Sequence, residues 1–198
     1  MLCLQYQYTL LFYKMARQAI DLADSARKSD MQVNTKDLLV APGAGEAVAL
    51  GGVGVIFKLS GEETEGAFSI VEHPIEPGTL VPPHTHSKED ELSYVLEGEV
   101  GVKIGDLVML ATSGSYVFKP RGIPHTFWNA GPGPARLLEI ITPAGFEAYF
   151  REMALLFPPG GLPDFGEVTK LASRYGLTFQ MDWVEELATT YHLKLLGR

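Results

Sequence analysis

Short apolar runs separated by turn residues fill the middle of the chain, over residues 55–142. The clearest run is 99–104, in which Val100, Val102 and Ile104 alternate with polar or small residues. Such alternation places apolar side chains on one face of a β-strand. Turn residues recur roughly every eight to twelve positions, a spacing typical of an antiparallel sandwich or barrel. The pattern therefore predicts a mainly β fold in this part of the chain.

After Thr142 the period of the apolar positions changes to that of a helix. The first helical stripe consists of Phe146, Tyr149, Phe150, Met153, Ala154 and Phe157. A second helix is predicted from Asp164, with Glu167 completing a capping box, to Gly176. A third short helix is predicted over 182–189. We expect these helices to cover one opening or edge of the β structure.

The segment before the strands, residues 1–54, is predicted to be an N-terminal extension. It divides into a marginal strand over 1–13, a short helix over 15–29 and a flexible Gly- and Ala-rich stretch over 41–54. Met15 and Met31 are alternative start residues, and no function is assigned to this extension. The predicted organisation is thus the extension 1–54, a barrel 55–145 and a helical tail 146–198 packed on the barrel.

Composition narrows the classes of partner. Apolar residues make up 46% of the 198 residues and charged residues 20%, which is typical of a globular domain. The formal net charge of −8 disfavours nucleic acid and anionic membranes as partners. Cys3 is the only cysteine, so no disulfide or multi-thiolate zinc site can form within one chain. We expect a cytoplasmic protein.

Three of the five histidines and one glutamate form the main candidate for chemistry. His84 and His86 are two residues apart, so on a strand they project from the same face. Glu91 follows after a polar stretch, and His125 begins another predicted strand. Imidazole nitrogens with one carboxylate suit divalent first-row metals.

These residues lie within two spaced blocks. The first block is Gly78-x5-His84-x-His86-x4-Glu91-x6-Gly98, and the second is Gly114-x5-Pro120-x-Gly122-x2-His125-x3-Asn129. Position for position, the blocks resemble the two sequence motifs of the cupin superfamily, over about residues 66–142. The resemblance implies a double-stranded β-helix, that is, a jelly-roll barrel, with short C-terminal helices outside it.

The resemblance also implies one divalent transition metal ion, with His84, His86, Glu91 and His125 as its ligands. The ion could be iron, nickel, cobalt, manganese, copper or zinc. Glu89 and Asp90 are neighbouring carboxylates, but only Glu91 keeps the motif's six-residue spacing to Gly98. A catalytic role is predicted for Glu91, as a ligand that detaches and takes a proton from a substrate hydroxyl.

Four aromatic residues near the motifs are predicted to line the substrate pocket: Tyr94, Tyr116, Phe118 and Phe127. Phe127 lies on the same side of its strand as His125, two residues away. His73 and His192 lie outside the motifs and are expected to be ordinary core or surface histidines.

Among cupins, the chain is similar to the bacterial quercetin 2,3-dioxygenase-like group, with its His-x-His, Glu-Asp-Glu and helical tail. That similarity implies cleavage of a flavonol ring with O₂ and release of carbon monoxide. Other classes stay open: an isomerase, a decarboxylase with Arg121 as a pocket arginine, or a non-catalytic ligand-binding cupin. We expect a small-molecule substrate, O₂ as a second partner, and a homodimer.

Overall fold

In the described part of the chain, two β-sheets face each other, and three helices lie in its C-terminal quarter. A computed structural model describes residues 39–158 and 161–197, and the described strands and helices belong to the unit Ala41–Arg198. The predicted strand over 1–13 and helix over 15–29 lie outside the described residues. Among the described residues, no helix combines the length and the apolar character needed to cross a bilayer.

The first sheet is antiparallel throughout, with the strand order β1-β2-β3-β11-β6-β9. Its strands are β1 (Ala47–Ala49), β2 (Gly54–Leu59), β3 (Ser69–Ile75), β6 (Asp90–Glu97), β9 (Tyr116–Lys119) and β11 (Ala135–Thr142). Burial alternates strictly along β3, β6 and β11, so every second side chain points into the space between the sheets. The prediction of a mainly β fold with short C-terminal helices is confirmed.

The second sheet has the strand order β12-β5-β10-β4-β13, and β7 pairs with both β10 and β8. Its strands are β4 (Thr79–Leu80), β5 (His84–His86), β7 (Glu99–Ile104), β8 (Leu107–Thr112), β10 (His125–Asn129), β12 (Leu177–Phe179) and β13 (Lys194–Leu195). The last two strands come from the predicted helical tail, and they pair with β5 and β4. Strands of two and three residues are too short to show a period, so the sequence pattern does not reveal them.

A close approach of two strands explains one glycine in the second sheet. Gly101 in β7 lies opposite Trp128 in β10. A Cβ atom on Gly101 would lie 2.0 Å from the indole ring of Trp128, which occupies the space above the glycine. The indole is buried with Leu80, Leu187 and Leu193 in one of the hydrophobic clusters. Only glycine therefore fits at this position without moving the tryptophan.

Three helices follow β11: α1 (Glu147–Leu155), α2 (Phe165–Arg174) and α3 (Trp183–Tyr191). They lie within a few residues of the predicted helices, and the Asp164 side chain caps α2 by accepting a hydrogen bond from the Glu167 amide. Apolar residues of α1 and α2 share one core cluster with residues of the first sheet, among them Val55 and Val71. This packing puts the two helices against the barrel.

The segment 41–54, expected to be flexible, contains strand β1. The strand pairs antiparallel with β2, with Val48 opposite Val55. The turn between them includes Gly51 and Gly52, which both adopt positive φ angles. Two consecutive residues with positive φ suit a tight turn between strands, and glycine adopts that conformation most readily. The glycines of this stretch therefore make a hairpin rather than a flexible linker.

Candidate metal centre

The four predicted ligands come from both sheets and meet between them. His84 and His86 occupy the two buried positions of the short strand β5. His125 is the first residue of β10 and pairs directly with His84 across the sheet. Glu91 lies on an inward position of β6, in the opposite sheet. Strand alternation in each sheet thus directs three imidazoles and one carboxylate toward a common point.

The geometry of this cluster is compact. Each of the four buried residues offers one ligand atom, and these atoms all lie within 4.8 Å of one another. The carboxylate of Glu91 bridges two of the rings: Oε1 is 3.3 Å from Nε2 of His86, and Oε2 is 3.2 Å from Nε2 of His125. Two donors about 2.1 Å from one ion are at most about 4.2 Å apart. A small contraction of the cluster therefore brings all four atoms into range of one ion.

The outer ring nitrogens are held in place by the protein. Nδ1 of His84 donates to the carbonyl of Pro82 at 2.7 Å, and Nδ1 of His125 donates to the carbonyl of Ile123 at 3.1 Å. A proton on Nδ1 leaves Nε2 with a free lone pair, which is the state that binds a metal. Ligand histidines in metal sites are commonly oriented by this kind of partner.

His86 gives a direct test of whether the residues fit a metal. Its ring is completely enclosed, and within the described part of the chain neither of its nitrogens makes a well-formed hydrogen bond. Buried polar atoms without a partner are rare and indicate a missing ligand or ion. Three imidazoles and one carboxylate also match the preferences of divalent first-row transition metals. The cluster could therefore hold such an ion.

The three consecutive carboxylates have separate roles. Glu91 belongs to the cluster, whereas Glu89 is buried on the far side of His86, with Oε2 3.4 Å from Nδ1. Asp90 points out of the barrel and binds the guanidinium of Arg121 at 2.6 Å. This pairing lowers the pKa of Asp90 to about 2. Strand parity accounts for the split, because residues 90 and 91 face opposite sides of β6.

Electrostatics keep Glu91 ionised. Burial alone would raise the pKa of this carboxyl group, but the ammonium of Lys119 and the ring of His86 outweigh it and hold the pKa well below its usual range. For His86, burial lowers the pKa, and the nearby Glu91 and Glu89 carboxylates more than compensate and raise it to about 9. The pKa of His84 stays well below its usual value because of burial and the neighbouring imidazoles. The ionised carboxylate of Glu91 thus lies beside the ammonium of Lys119 and the imidazole rings of the cluster.

A buried ionic network behind Glu91 was missed by the sequence reasoning. Nζ of Lys119 lies 2.8 Å from Oε2 of Glu91 and 2.8 Å from Oε2 of Glu139. Ser93 donates a hydrogen bond to the other oxygen of Glu139 at 2.9 Å. The pKa of Glu139 is raised to about 7, because its burial and the nearby Glu91 charge outweigh the attraction of Lys119. A glutamate at the inward position between Leu137 and Ile141 was the sequence signal for this network.

A cavity of about 470 Å³ adjoins the cluster. Its walls come from both sheets and from helices α1 and α2, and most of them are apolar. The polar side chains in the lining are His73, His84, Glu91, Glu139 and Tyr149. Concave, largely apolar sites with a few polar groups are the usual form of small-molecule sites. The cluster therefore lies at the edge of a space suited to an apolar ligand.

Of the four predicted pocket residues, only Phe127 lines this cavity. Tyr116 and Phe118 are 72% and 59% exposed, on the outer side of β9. Tyr94 lies on the outer side of β6 and packs on Tyr116 with a ring separation of 4.7 Å. These three residues do not line the cavity, because they have the opposite strand parity to the inward residues Glu91 and Lys119.

Comparison with known proteins agrees with the sequence motifs. Residues 72–141 match the family described as the cupin domain. Germin-like protein subfamily 2 member 2 of Arabidopsis thaliana is 40% identical over 76 residues, 31% of this chain and 31% of the plant protein. The HTH-type transcriptional regulator PuuR of Escherichia coli (strain K12) is 29% identical over 103 residues, 51% of this chain and 55% of the regulator. The chain spans between about a third and about half of the length of these curated relatives.

Solved structures of similar shape have low sequence identity. A predicted oxalate decarboxylase from Thermotoga maritima shares 21% identity, with a TM-score of 0.49, over 53% of this chain and 97% of that chain. The polyketide cyclase RemF from Streptomyces resistomycificus shares 26% identity, with a TM-score of 0.47, over 52% of this chain and 78% of that chain. The cupin-domain match over residues 72–141 contains both spaced motifs and the four residues of the cluster, so this segment of the chain is similar to cupin domains.

Proposed function

We propose that this chain is a metal-dependent cupin enzyme, an oxygenase of the quercetin 2,3-dioxygenase-like type. Its substrate would be a small enolisable molecule or an aromatic molecule with a hydroxyl group. The observation that carries the proposal is the junction of the cluster with the cavity, since His84 and Glu91 belong to both. A substrate in the cavity would therefore present its polar end to the metal ligands and its body to apolar side chains.

The character of the cavity favours this substrate class over small anions. Among the described residues that line it, none is lysine or arginine. A phosphorylated sugar or a small dicarboxylic acid is commonly recognised by such a cation. Arg121, considered as a pocket arginine for a decarboxylase, instead pairs with Asp90 at the surface. These contacts support an aromatic substrate over the substrates of a sugar isomerase or an oxalate-type decarboxylase.

The chain's own residues would orient the substrate and move its proton. A bound transition metal would polarise a substrate hydroxyl and provide a place for O₂. Glu91 is the proposed acceptor of the hydroxyl proton, because it is the carboxylate common to the cluster and the cavity. Lys119 holds Oε2 of Glu91 from behind and so limits its rotation. Phe127 and the aromatic residues of α1 would exclude water from the reacting end.

A non-catalytic, ligand-binding role is the second candidate. Its specific support is the similarity to the transcriptional regulator PuuR over about half of each chain. In this case the same cavity would bind a small apolar molecule without converting it. The absence of turnover with retained binding would distinguish this role from the enzymatic one.

The deciding experiment is anaerobic purification with metal analysis, followed by oxygen uptake on addition of quercetin. The protein would be reconstituted separately with iron, nickel, cobalt and manganese, and His84→Ala would serve as the matched control. Metal-dependent uptake with carbon monoxide release, lost in His84→Ala, is the expected result. If the protein binds metal but takes up no oxygen with any of the four ions, the quercetinase-like reaction is rejected and the binding role is favoured.

A further inference from the structure

His73 is a buried histidine in the cavity wall that takes no part in the metal cluster. It is 4% exposed and lies on an inward position of β3. Its Nδ1 atom donates to the backbone carbonyl of Gly54 on the neighbouring strand, at 3.0 Å. In a neutral imidazole, a proton on Nδ1 makes Nε2 an acceptor. The backbone of β2 therefore selects one tautomer of this ring.

Aromatic side chains pack on the His73 ring, and the charged groups of Lys119 and Glu91 lie near enough to affect its pKa. The ring of Phe150 packs edge-on against it at 5.3 Å, and the ring of Phe127 lies 6.1 Å away, and all three residues line the cavity. Burial and the nearby Lys119 charge lower the pKa of His73 to about 4, despite the bond to Gly54, so the ring is neutral at neutral pH. Within the described residues, no hydrogen bond to Nε2 is found, and Nε2 is not among the fully enclosed polar atoms that lack a partner. Because His73 lines the cavity, Nε2 is open to a molecule bound there.

An acceptor that is open to the cavity can be paired by water in the free protein. An aromatic ligand that covers the wall would leave this acceptor unpaired unless the ligand supplies a donor such as a hydroxyl group. We propose that Nε2 of His73 is a subsite that accepts a hydrogen bond from a hydroxyl group of an aromatic ligand bound in the cavity. This subsite is separate from the four metal ligands. The subsite would give the substrate a second polar anchor in the protein. Its role in catalysis rests on the proposed function.

The substrate class follows from the combination of anchors. The aromatic side chains of the wall favour a flat, largely apolar body, and a cavity of about 470 Å³ has room for two linked or fused rings. One polar group would meet the metal cluster, and a second one, a hydroxyl, would meet His73. A ligand with two polar groups would therefore engage both anchors.

The test compares two probes of equal size, 2-naphthol and 2-methylnaphthalene, which differ in one hydroxyl group. Their dissociation constants would be measured by fluorescence titration on the metal-loaded wild type and on His73→Phe with the same metal content. We expect the ratio of the two constants to shift about fivefold against 2-naphthol in His73→Phe. Phe127→Leu, which alters the same wall without changing its hydrogen bonding, should affect both probes alike.

An unchanged ratio in His73→Phe would overturn the subsite, because it would place the hydroxyl at the metal or in water. Failure of both probes to bind the wild type would overturn it as well. If His73→Phe does not fold, His73→Leu replaces it and is judged by the same ratio. The readout is binding and not turnover. A shifted ratio without quercetin oxidation would thus keep the subsite and reject the proposed reaction. Quercetin oxidation with an unchanged ratio would keep the reaction and reject the subsite.

Discussion

Nζ of Lys119 lies 2.8 Å from Oε2 of Glu91, in a position where neither group contacts bulk water. The same ammonium binds Glu139 at 2.8 Å, so one buried cation neutralises two buried carboxylates only in part. Paired buried charges of this kind are costly to break, since removing one partner leaves the others uncompensated. Lys119 therefore couples the stability of the barrel to the state of the metal cluster.

Replacing Lys119 with methionine should weaken metal binding about 10- to 100-fold, because the group that orients Glu91 is lost. The free energy of unfolding should also fall by about 3–5 kcal/mol, since Glu91 and Glu139 lose their counter-charge. Metal titration and chemical denaturation check both effects. Lys170→Met is the matched control, because Lys170 forms only a surface pair with Glu167 and should change little. Wild-type metal affinity in Lys119→Met would contradict the positioning role.

His84→Ala and His125→Ala should each lose bound metal while keeping the β-sheet signal in circular dichroism. Each substitution removes one imidazole of the cluster without disturbing the strand backbone. Metal content after purification, measured by mass spectrometry, gives the answer. His192→Asn provides the control, since His192 is exposed outside the cluster and asparagine tolerates its left-handed backbone. Full occupancy in both alanine variants would refute the ligand assignment.

Glu91→Gln should reduce metal affinity more than Glu89→Gln. The first substitution removes the carboxylate from the cluster, and the second changes only the outer partner of His86. In Glu89→Gln we expect metal affinity to fall about 10-fold, the low end of the effect seen when a residue that orients a ligand is lost. Competition with a chelator ranks the two variants. The reverse order would show that Glu89 is the ligand.

The stability of this protein should depend on pH through His73. Its folded pKa of about 4 is below the usual 6.5, so the unfolded chain binds more protons between these values. Stability from the neutral ring is therefore fully present above pH 6.5 and is lost as the pH falls toward 4. The loss amounts to about 3 kcal/mol.

In His73→Leu this part of the pH dependence should be absent. Denaturation of the wild type and the variant would be compared from pH 7 to pH 4, and both proteins keep the same metal cluster. The unfolding free energy of the wild type minus that of the variant should therefore fall steadily with falling pH. Parallel curves over this interval would exclude a buried neutral His73.

Gly101→Ala should lower the free energy of unfolding by about 3 kcal/mol, the upper end of the usual cost of overpacking a core. The new methyl group would overlap the Trp128 indole, whose nearest atom is 2.0 Å from the Cβ position. Thermal or chemical denaturation measures the loss. Gly133→Ala is the control, because an added Cβ there meets no atom within 4 Å. Equal stability of the two variants would contradict the packing of Trp128 on Gly101.

The local elements and the cluster were predictable from the amino-acid sequence for clear physical reasons. The alternation of Val100 and Val102 along β7 and the helical stripe of α1 reflect burial of these side chains in the hydrophobic core, which the periodicity records directly. The positions of His84, His86, Glu91 and His125 were predictable because their spacing follows the cupin motifs. Asp164 was recognisable as a cap because its interaction with the Glu167 amide is local. The expected homodimer remains a prediction.

Other features depended on contacts between distant parts of the chain. Alternation shows that Tyr116 and Lys119 face opposite sides of β9, but only the packing of the sheets decides that the lysine is inside and the tyrosine outside. Lys119 can be buried because Glu91 and Glu139, from two other strands, supply its counter-charges. The same holds for His73, whose tautomer is selected by the carbonyl of Gly54 on the adjacent strand. Periodicity thus determined which residues share a face, whereas tertiary contacts decided which face is buried and how its charges are paired.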